Sequence, residues 1–188
     1  MNTLYPIFLK TNRLNLLIIG GKDVGLEKAK AILTQDPQAN IRMVAKEFSP
    51  ETLAFLEDYQ QVEIIESQLH EGHFRHIHLV FSASRNRALN ERVQRIASFL
   101  EIPVNCADTP DLCDFYLGSV VQRGDLKIAI STNGKAPILS RRMRELLEQA
   151  LPEDLDLLLE EIHSIRKSLS GNFSTKLKIM EQILPSAN

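Results

Sequence analysis

Tryptophan is absent from the 188 residues, and aromatic residues make up only 6% of them. Cysteine occurs twice, at Cys106 and Cys113, without the CxxC spacing that marks zinc sites and redox motifs. Long apolar runs are also missing, because the aliphatic stretch from Leu16 to Ile19 is far shorter than the ~20 residues of a membrane span. We therefore expect free thiols, no membrane helix, no signal peptide and a cytoplasmic protein.

Charge of a single sign is missing as well. The chain has 22 lysine and arginine residues and 24 aspartate and glutamate residues, which gives a formal net charge of -2 at pH 7. The basic residues are spread along the whole chain, and this argues against nucleic-acid binding. Apolar residues (44%) and charged residues (24%) are close to the averages of globular proteins. The length fits one compact domain with a smaller module beside it.

Only eight glycines occur, yet three of them, Gly20, Gly21 and Gly25, lie within six residues. They follow the aliphatic run LNLLII and precede apolar residues at helical spacing, which predicts a strand, a glycine turn and a helix. Such a turn lets a pyrophosphate bind at the N-terminus of the helix. Lys22 stands where the GxGxxG fingerprint has its middle glycine. A tight turn that binds no nucleotide is the structural alternative.

Further short apolar runs alternate with helical segments after this turn. Strands are predicted at 41–45, 62–65, 77–81 and 103–105, with helices from Ser49-Pro50 and from Arg85. This alternation predicts an α/β fold with a parallel sheet and helices on both faces. The pattern changes after Tyr116, where runs at 117–121 and 126–131 predict an antiparallel hairpin, and helices are predicted from Ala136, Pro152 and Ser174.

An acidic residue near the end of the second strand usually holds the ribose hydroxyls of a bound dinucleotide. Glu47 lies 22 residues beyond Gly25, close to the ~20 residues of that pattern. Although Lys46 lies next to it, the position of Glu47 favours NAD over NADP.

Four segments occur in order between residues 5 and 150: PIFLKTNRLNLLIIGGKDVGLEKAKAIL, FSASRNRALNERV, NCADTP and LKIAISTNGKAPILSRRMRELLE. Together they resemble the precorrin-2 dehydrogenase and sirohydrochlorin ferrochelatase family, the free-standing counterpart of the N-terminal module of siroheme synthase. The resemblance implies a Rossmann-like NAD-binding domain over 1–116, a small β-containing dimerisation segment over 117–150 and a short helical domain over 151–188. It also implies a homodimer.

The activity that the resemblance implies is NAD-dependent oxidation of precorrin-2 to sirohydrochlorin. Bifunctional members then insert Fe²⁺ as a substrate metal to give siroheme. Asp108 in NCADTP matches the catalytic aspartate of the family, with a turn residue of the Asp-x-Pro type as the structural alternative.

The resemblance also places the binding residues. The cofactor-binding positions are Gly20, Gly21, Lys22, Asp23, Val24, Glu47, Phe48, Ala83 and Ser84. The positions for the carboxylate-rich tetrapyrrole are Ser131, Thr132, Asn133, Gly134, Lys135, Arg141 and Arg142. The chain departs from the family pattern at Lys22, which replaces a glycine, and at Ser84-Arg85-Asn86, which replaces Thr-Asp-Asp.

Four of the five histidines, His70, His73, His76 and His78, lie within nine residues. No cysteine or carboxylate stands in frame with them as a zinc ligand, so we expect solvated surface histidines and no metal site. Two other functions remain open at this point. One is a regulatory module that senses NAD(H) without chemistry, and the other is a metal chelatase that has lost dehydrogenase activity.

Overall fold

The computed structural model describes residues 2–183, and the chain divides after Tyr116 into two compact units. In the first unit, strands and helices alternate. They are β1 (Asn15–Ile19), α1 (Asp23–Leu33), β2 (Asn40–Ala45), α2 (Pro50–Leu56), β3 (Glu63–Glu66), β4 (Leu79–Ser82), α3 (Arg87–Phe99) and β5 (Val104–Cys106). Short 3-10 helices cover Thr11–Arg13, Glu71–Phe74 and Pro110–Leu112. No described helix is long and apolar enough to cross a membrane.

The five strands form one parallel sheet in the order β3-β2-β1-β4-β5. Consecutive residues of β1 point to opposite faces, so Leu16 and Ile18 enter one apolar cluster while Leu17 and Ile19 enter the other. Helices cover both faces, and the central strands are accordingly apolar throughout. The predicted α/β fold is confirmed, and it places the carboxyl ends of all five strands along one edge.

The start of α2 follows the predicted chemistry, whereas α3 begins at Arg87, two residues later than predicted, because the Asn86 side chain caps it by accepting a hydrogen bond from Leu89 N. Ser49 caps α2 by accepting a hydrogen bond from Thr52 N at 3.2 Å, and Pro50 takes the first helical position. Strand β4 begins at Leu79, two residues later than predicted. His76 has a φ of +62°, and Ile77 N donates to Phe74 O at 3.2 Å, so the chain is still turning there.

The second unit contains an antiparallel hairpin and three helices. They are β6 (Ser119–Arg123), β7 (Leu126–Ile130), α4 (Pro137–Ala150), α5 (Leu155–Ser168) and α6 (Phe173–Ile183). Helix α5 begins after the predicted Pro152, because the Asp154 carbonyl accepts its first hydrogen bonds, from Leu157 N and Leu158 N. The last predicted helix was expected to reach Leu184, which lies outside the described residues.

Candidate functional site

The glycine turn between β1 and α1 is packed closely on several sides. Gly20 has a φ of +134°, a conformation that L side chains rarely adopt. A Cβ atom on Gly21 would lie 2.5 Å from Glu47 O, and one on Gly25 would overlap the Gly20 carbonyl oxygen. Only glycine fits these positions, because a Cβ atom on any of them would force the turn away from its neighbours.

The first turn of α1 leaves main-chain N–H groups without partners. Its first helical hydrogen bond runs from Leu26 N to Lys22 O at 2.9 Å. The amides of Asp23, Val24 and Gly25 therefore have no acceptor among residues 2–183. Free amides and the positive end of the helix dipole suit a pyrophosphate. The unpaired amides of this turn thus suit the negative charge of a pyrophosphate.

Lys22 forms an ion pair with Glu47 beside this turn. Its Nζ lies 2.8 Å from Glu47 Oε2, and both side chains are largely exposed. The hydrogen bond and the opposite charge raise the pKa of Lys22 and lower the pKa of Glu47. The residue that replaces the middle glycine is therefore bound to the residue predicted to hold the ribose.

Arg85, the second departure from the family pattern, is paired in the same way. Its Nη2 lies 2.9 Å from Asp23 Oδ2, at the first residue of α1. This contact joins the loop after β4 to the start of α1 across the exposed edge of the sheet. Sequence reasoning found the departure at Arg85 but not its partner.

The other predicted cofactor-binding residues lie along the same edge. Val24 is half-buried and packs against the core, while Phe48 and Ala83 are 7% and 8% exposed. Ser84 Oγ accepts a hydrogen bond from Asn86 N at 3.0 Å. All nine predicted positions thus meet at the carboxyl ends of β1, β2 and β4, with Phe48 and Ala83 able to meet a ligand chiefly through their main chain.

Asp108 follows β5 at this edge of the sheet. Its φ is +54°, in the left-handed region that few residues other than glycine adopt, and its side chain is exposed. Ala107 N donates to Ser82 O at 2.9 Å, so the loop stays attached to the end of β4. The backbone thereby presents the Asp108 carboxylate to solvent.

A buried polar network lies directly beneath this loop. Asn90 of α3 is fully buried, accepts a hydrogen bond from Ser82 Oγ at 2.7 Å and donates to Thr109 Oγ1 at 2.7 Å. It also donates to the main-chain oxygens of Ser84 and Ala107, at 3.0 and 3.2 Å. These contacts fix the residues on both sides of Asp108. Sequence reasoning missed Asn90, although a polar residue on the apolar stripe of α3 with Val93 and Ala97 was the available signal.

Both cysteines are free thiols, as predicted. Cys113 Sγ accepts a hydrogen bond from Cys106 N at 3.1 Å and donates to Cys106 O at 3.2 Å. Burial raises the pKa of Cys106 to about 12, and the neighbouring Cys113 adds to this shift. A thiol with such a pKa stays protonated at neutral pH. The hydrogen bonds between Cys106 and Cys113 join the two ends of the loop that contains Asp108.

The predicted substrate-binding residues belong to the second unit, in the loop between β7 and the first half of α4. Asn133 and Gly134 both have positive φ, of 55° and 73°. Thr132 Oγ1 accepts a hydrogen bond from Ala136 N at 3.2 Å, so this oxygen is already hydrogen-bonded within the turn. Ser131 Oγ likewise accepts from Asn133 N.

The cations of this region differ in their pairing. Arg141 forms an ion pair with Glu145 at 3.0 Å. Lys135 and Arg142 are exposed and form no ion pair with another described residue. Two of the three predicted cations are therefore available to an anionic ligand.

The clustered histidines are exposed as predicted, except His73, which is buried. His73 is only 6% exposed, its ring lies 3.6 Å from that of His70, and His70 N donates to His73 Nδ1 at 3.2 Å. His78 Nδ1 accepts a hydrogen bond from Asn15 N at 2.9 Å. Among residues 2–183 no group of histidine, cysteine and acidic side chains could hold a metal ion.

Two family models match the chain. One, described as putative NAD(P)-binding, covers residues 7–119 and so contains the glycine turn, Glu47 and Asp108. The other, described as sirohaem biosynthesis protein central, covers residues 123–150. Both agree with the resemblance drawn from the four sequence segments.

Curated relatives carry the same description. The chain is 35% identical over 175 residues to the siroheme synthase of Psychrobacter cryohalolentis, which covers 93% of this chain and 33% of that protein. It is 34% identical over 156 residues to the siroheme synthase of Neisseria meningitidis serogroup C. That match covers 83% of this chain and 32% of the Neisseria protein. The chain therefore spans about a third of the length of these relatives.

A solved structure has the same fold along nearly the whole chain. It is described as SirC, precorrin-2 dehydrogenase, and superposes with a TM-score of 0.75. The match covers 97% of this chain and 90% of that one, at 22% sequence identity.

Proposed function

The chain belongs to the putative NAD(P)-binding family, in the group that also carries the sirohaem biosynthesis central segment, and from this premise we propose that it oxidises precorrin-2 to sirohydrochlorin with NAD⁺. One observation carries the proposal: a glycine turn that fits a dinucleotide and an exposed aspartate lie at the same edge of one parallel sheet. Ligands of open α/β sheets bind at this edge.

Two groups of residues would bind two different parts of the dinucleotide. The amides of Asp23, Val24 and Gly25 would hold the pyrophosphate, and the Glu47 carboxylate would accept hydrogen bonds from the ribose hydroxyls. A carboxylate there repels a 2′-phosphate, which supports NAD over NADP. When bound, NAD⁺ supplies the hydride acceptor of the oxidation.

Asp108 would act as the general base. Oxidation of precorrin-2 removes two electrons and two hydrogens, one as a hydride and the other as a proton. A carboxylate held in a fixed backbone conformation and open to solvent can accept that proton and release it to water. Asn90, Ser82 and Thr109 would hold the loop so that the Asp108 carboxylate keeps one position.

The decisive experiment supplies precorrin-2 and NAD⁺ and follows the absorbance of sirohydrochlorin. We expect Asp108→Asn to lower kcat about 100-fold or more, the usual contribution of a general base, while NAD⁺ affinity changes little. Asp111→Asn is the matched control, because it removes an exposed carboxylate from the same loop. Oxidation at full rate by Asp108→Asn would refute the assignment, and no oxidation by the natural chain would refute the function.

We also propose that the chain inserts Fe²⁺ into sirohydrochlorin to give siroheme. Metal insertion requires loss of protons from pyrrole nitrogens, and Asp108 is an exposed carboxylate at the same edge that could take them. Adding Fe²⁺ or Co²⁺ after the oxidation tests this step. Metal insertion no faster than in the absence of protein would restrict the function to dehydrogenation.

For the tetrapyrrole itself, we propose the loop before α4. Precorrin-2 is rich in carboxylates, and the exposed cations Lys135 and Arg142, the Asn133-Gly134 turn and the start of α4 offer positive charge and amide donors. Lys135→Met and Arg142→Met should raise KM for precorrin-2 and leave NAD⁺ affinity unchanged. Unchanged KM values would show that the carboxylates bind elsewhere.

A further inference from the structure

Arg85 places a guanidinium group at the start of α1. Its Nη2 lies 2.9 Å from Oδ2 of Asp23, the first residue of that helix. The same helical turn contains the main-chain amides of Asp23, Val24 and Gly25, which have no acceptor among residues 2–183. A cation therefore lies beside the amides that suit a pyrophosphate.

The main chain on both sides of Arg85 is held in place, whereas its side chain is free to turn. Ala83 N donates to Ile19 O at 2.8 Å, and a Cβ atom on Gly20 would lie 2.6 Å from Ala83 O. On the other side, the Asn86 side chain caps α3. The Arg85 side chain itself is 72% exposed. Its guanidinium is thus kept close to the glycine turn and can still change its partner.

The contact with Asp23 uses only a small part of the guanidinium. Nη2 donates to Asp23 Oδ2, while Nε and Nη1 of Arg85 have no acceptor in the part of the chain that the structure describes. Because both side chains are exposed, their ion pair is only weakly stabilising. A guanidinium has five N–H donors in a planar fork that matches two phosphate oxygens. A pyrophosphate is therefore a stronger partner for Arg85 than a single carboxylate oxygen.

The charges around the glycine turn show which cation is placed for this role. Lys22 and Arg85 are positive, Asp23 and Glu47 are negative, and each cation is paired with one carboxylate. Lys22 is bound to Glu47, which follows β2 and is the residue proposed for the ribose. Arg85 is bound to α1 itself, at the residue whose main-chain amide is free. Arg85 is thus the cation that lies at the pyrophosphate end of the site.

We propose that Arg85 is a cofactor-binding residue, whose guanidinium exchanges the Asp23 carboxylate for the pyrophosphate when the dinucleotide binds. Asp23 then serves to keep the guanidinium beside the amides of α1 before the cofactor arrives. This inference rests on the proposed binding of NAD⁺ and adds a side-chain cation to the main-chain donors of the turn.

The test is a calorimetric titration of NAD⁺ into the full chain. Arg85→Gln removes the guanidinium at an exposed position, and we expect Kd to rise about fivefold or more, because charge-assisted hydrogen bonds to the pyrophosphate are lost. Arg95→Gln, at an exposed position in the C-terminal half of α3, is the matched control for loss of one positive charge. Since α3 leads from the end of β4 back to the start of β5, Arg95 lies away from the glycine turn, and its replacement should leave Kd unchanged.

A second background separates contact with the pyrophosphate from simple neutralisation of Asp23. Asp23→Asn removes the carboxylate and keeps the main-chain amide, so no negative charge remains at this residue for Arg85 to neutralise. Adding Arg85→Gln to Asp23→Asn should again raise Kd about fivefold or more. No further rise in this background would overturn the inference, because Arg85 would then act only on Asp23.

The possible outcomes also distinguish this inference from the proposed function. An equal Kd for NAD⁺ in the natural chain and in Arg85→Gln would overturn the inference and leave the oxidation of precorrin-2 untouched. A natural chain that bound no NAD⁺ would overturn both.

Discussion

Lys22 and Arg85 show how single residues can depart from a family pattern without losing the site. Each of them forms an ion pair with an acidic residue of the same edge, Lys22 with Glu47 and Arg85 with Asp23. Neither positive charge is left free at the glycine turn. A dinucleotide that binds at this edge must therefore displace Lys22 from Glu47 and Arg85 from Asp23. The glycines that shape the turn are still present.

Removing the ammonium of Lys22 should make NAD⁺ bind more tightly. In Lys22→Met the Glu47 carboxylate no longer pairs with Lys22 and is free for the ribose. Because an ion pair between two exposed side chains is only weakly stabilising, we expect Kd to fall less than about fivefold. Calorimetry measures it, with Lys46→Met as the control for loss of charge alone. Weaker binding in Lys22→Met would mean that the ammonium contacts the pyrophosphate.

The buried His73 should make stability depend on pH. Its pKa is lowered by burial first and by the nearby His70 and Arg42, so the folded chain holds it neutral. As pH falls below about 6.5, the unfolded chain takes up a proton before the folded one does. The free energy of unfolding therefore falls as pH drops through this window toward the folded pKa.

Urea titrations at about pH 7.5 and pH 5.5 measure this dependence. We expect the loss of stability on acidification to be smaller in His73→Gln than in the natural chain. His163→Gln, at an exposed position of α5, is the control and should keep the natural dependence. Equal losses in the natural chain and in His73→Gln would contradict the expectation.

At the scale of elements, Asn90 connects α3 to the ends of β4 and β5. Asn90→Ala leaves Ser82 Oγ and the main-chain oxygen of Ser84 without their partner, while Ala107 O keeps its hydrogen bond from Thr109 Oγ1. Because a buried polar group left unpaired costs about 1–3 kcal/mol, we expect a loss of stability of about 3 kcal/mol. Denaturant unfolding measures it, and Gln94→Ala on the same helix is the control.

Asn90→Ala should also affect the oxidation specifically. Since its contacts lie on both sides of Asp108, we expect kcat to fall more than the affinity for NAD⁺. A variant that is destabilised but keeps its kcat would show that Asn90 stabilises the core without positioning Asp108.

At the scale of the whole molecule, α4 leaves an apolar face uncovered. Ile138, Leu139, Met143 and Leu146 are between 42% and 74% exposed, and the last three follow helical spacing. Apolar patches of this kind on a globular surface mark association sites. We propose that two copies of the chain meet through this segment, in the region 117–150.

Leu146→Glu tests this association. A charge buried in the interface without a partner should raise the dissociation constant of the dimer about tenfold or more, which sedimentation velocity measures. Gln149→Glu, exposed on the same helix, adds the same charge outside the apolar face and should leave the dimer intact. A dimer of unchanged affinity in Leu146→Glu would place the interface elsewhere.

The sequence by itself determined the order of the elements and the place of the glycine turn. A short aliphatic run such as Leu16 to Ile19 that ends at glycines is typical of a central strand buried on both faces. Gly20, Gly21 and Gly25 are needed where this strand meets its helix so closely. The cap of α2 by Ser49 was likewise predictable, because its hydrogen bond spans three residues of the chain.

Only the tertiary structure decided which distant side chains meet. The pair Arg85 and Asp23 is separated by 62 residues, and Asn90 meets Thr109 across 19. His73 looked like a surface residue because its neighbours are polar, yet the packing of its short 3-10 helix buries it. Caps and turns are encoded by near neighbours in the chain, whereas the ion pair and the buried network that join these distant residues form only after the sheet has aligned the carboxyl ends of its strands.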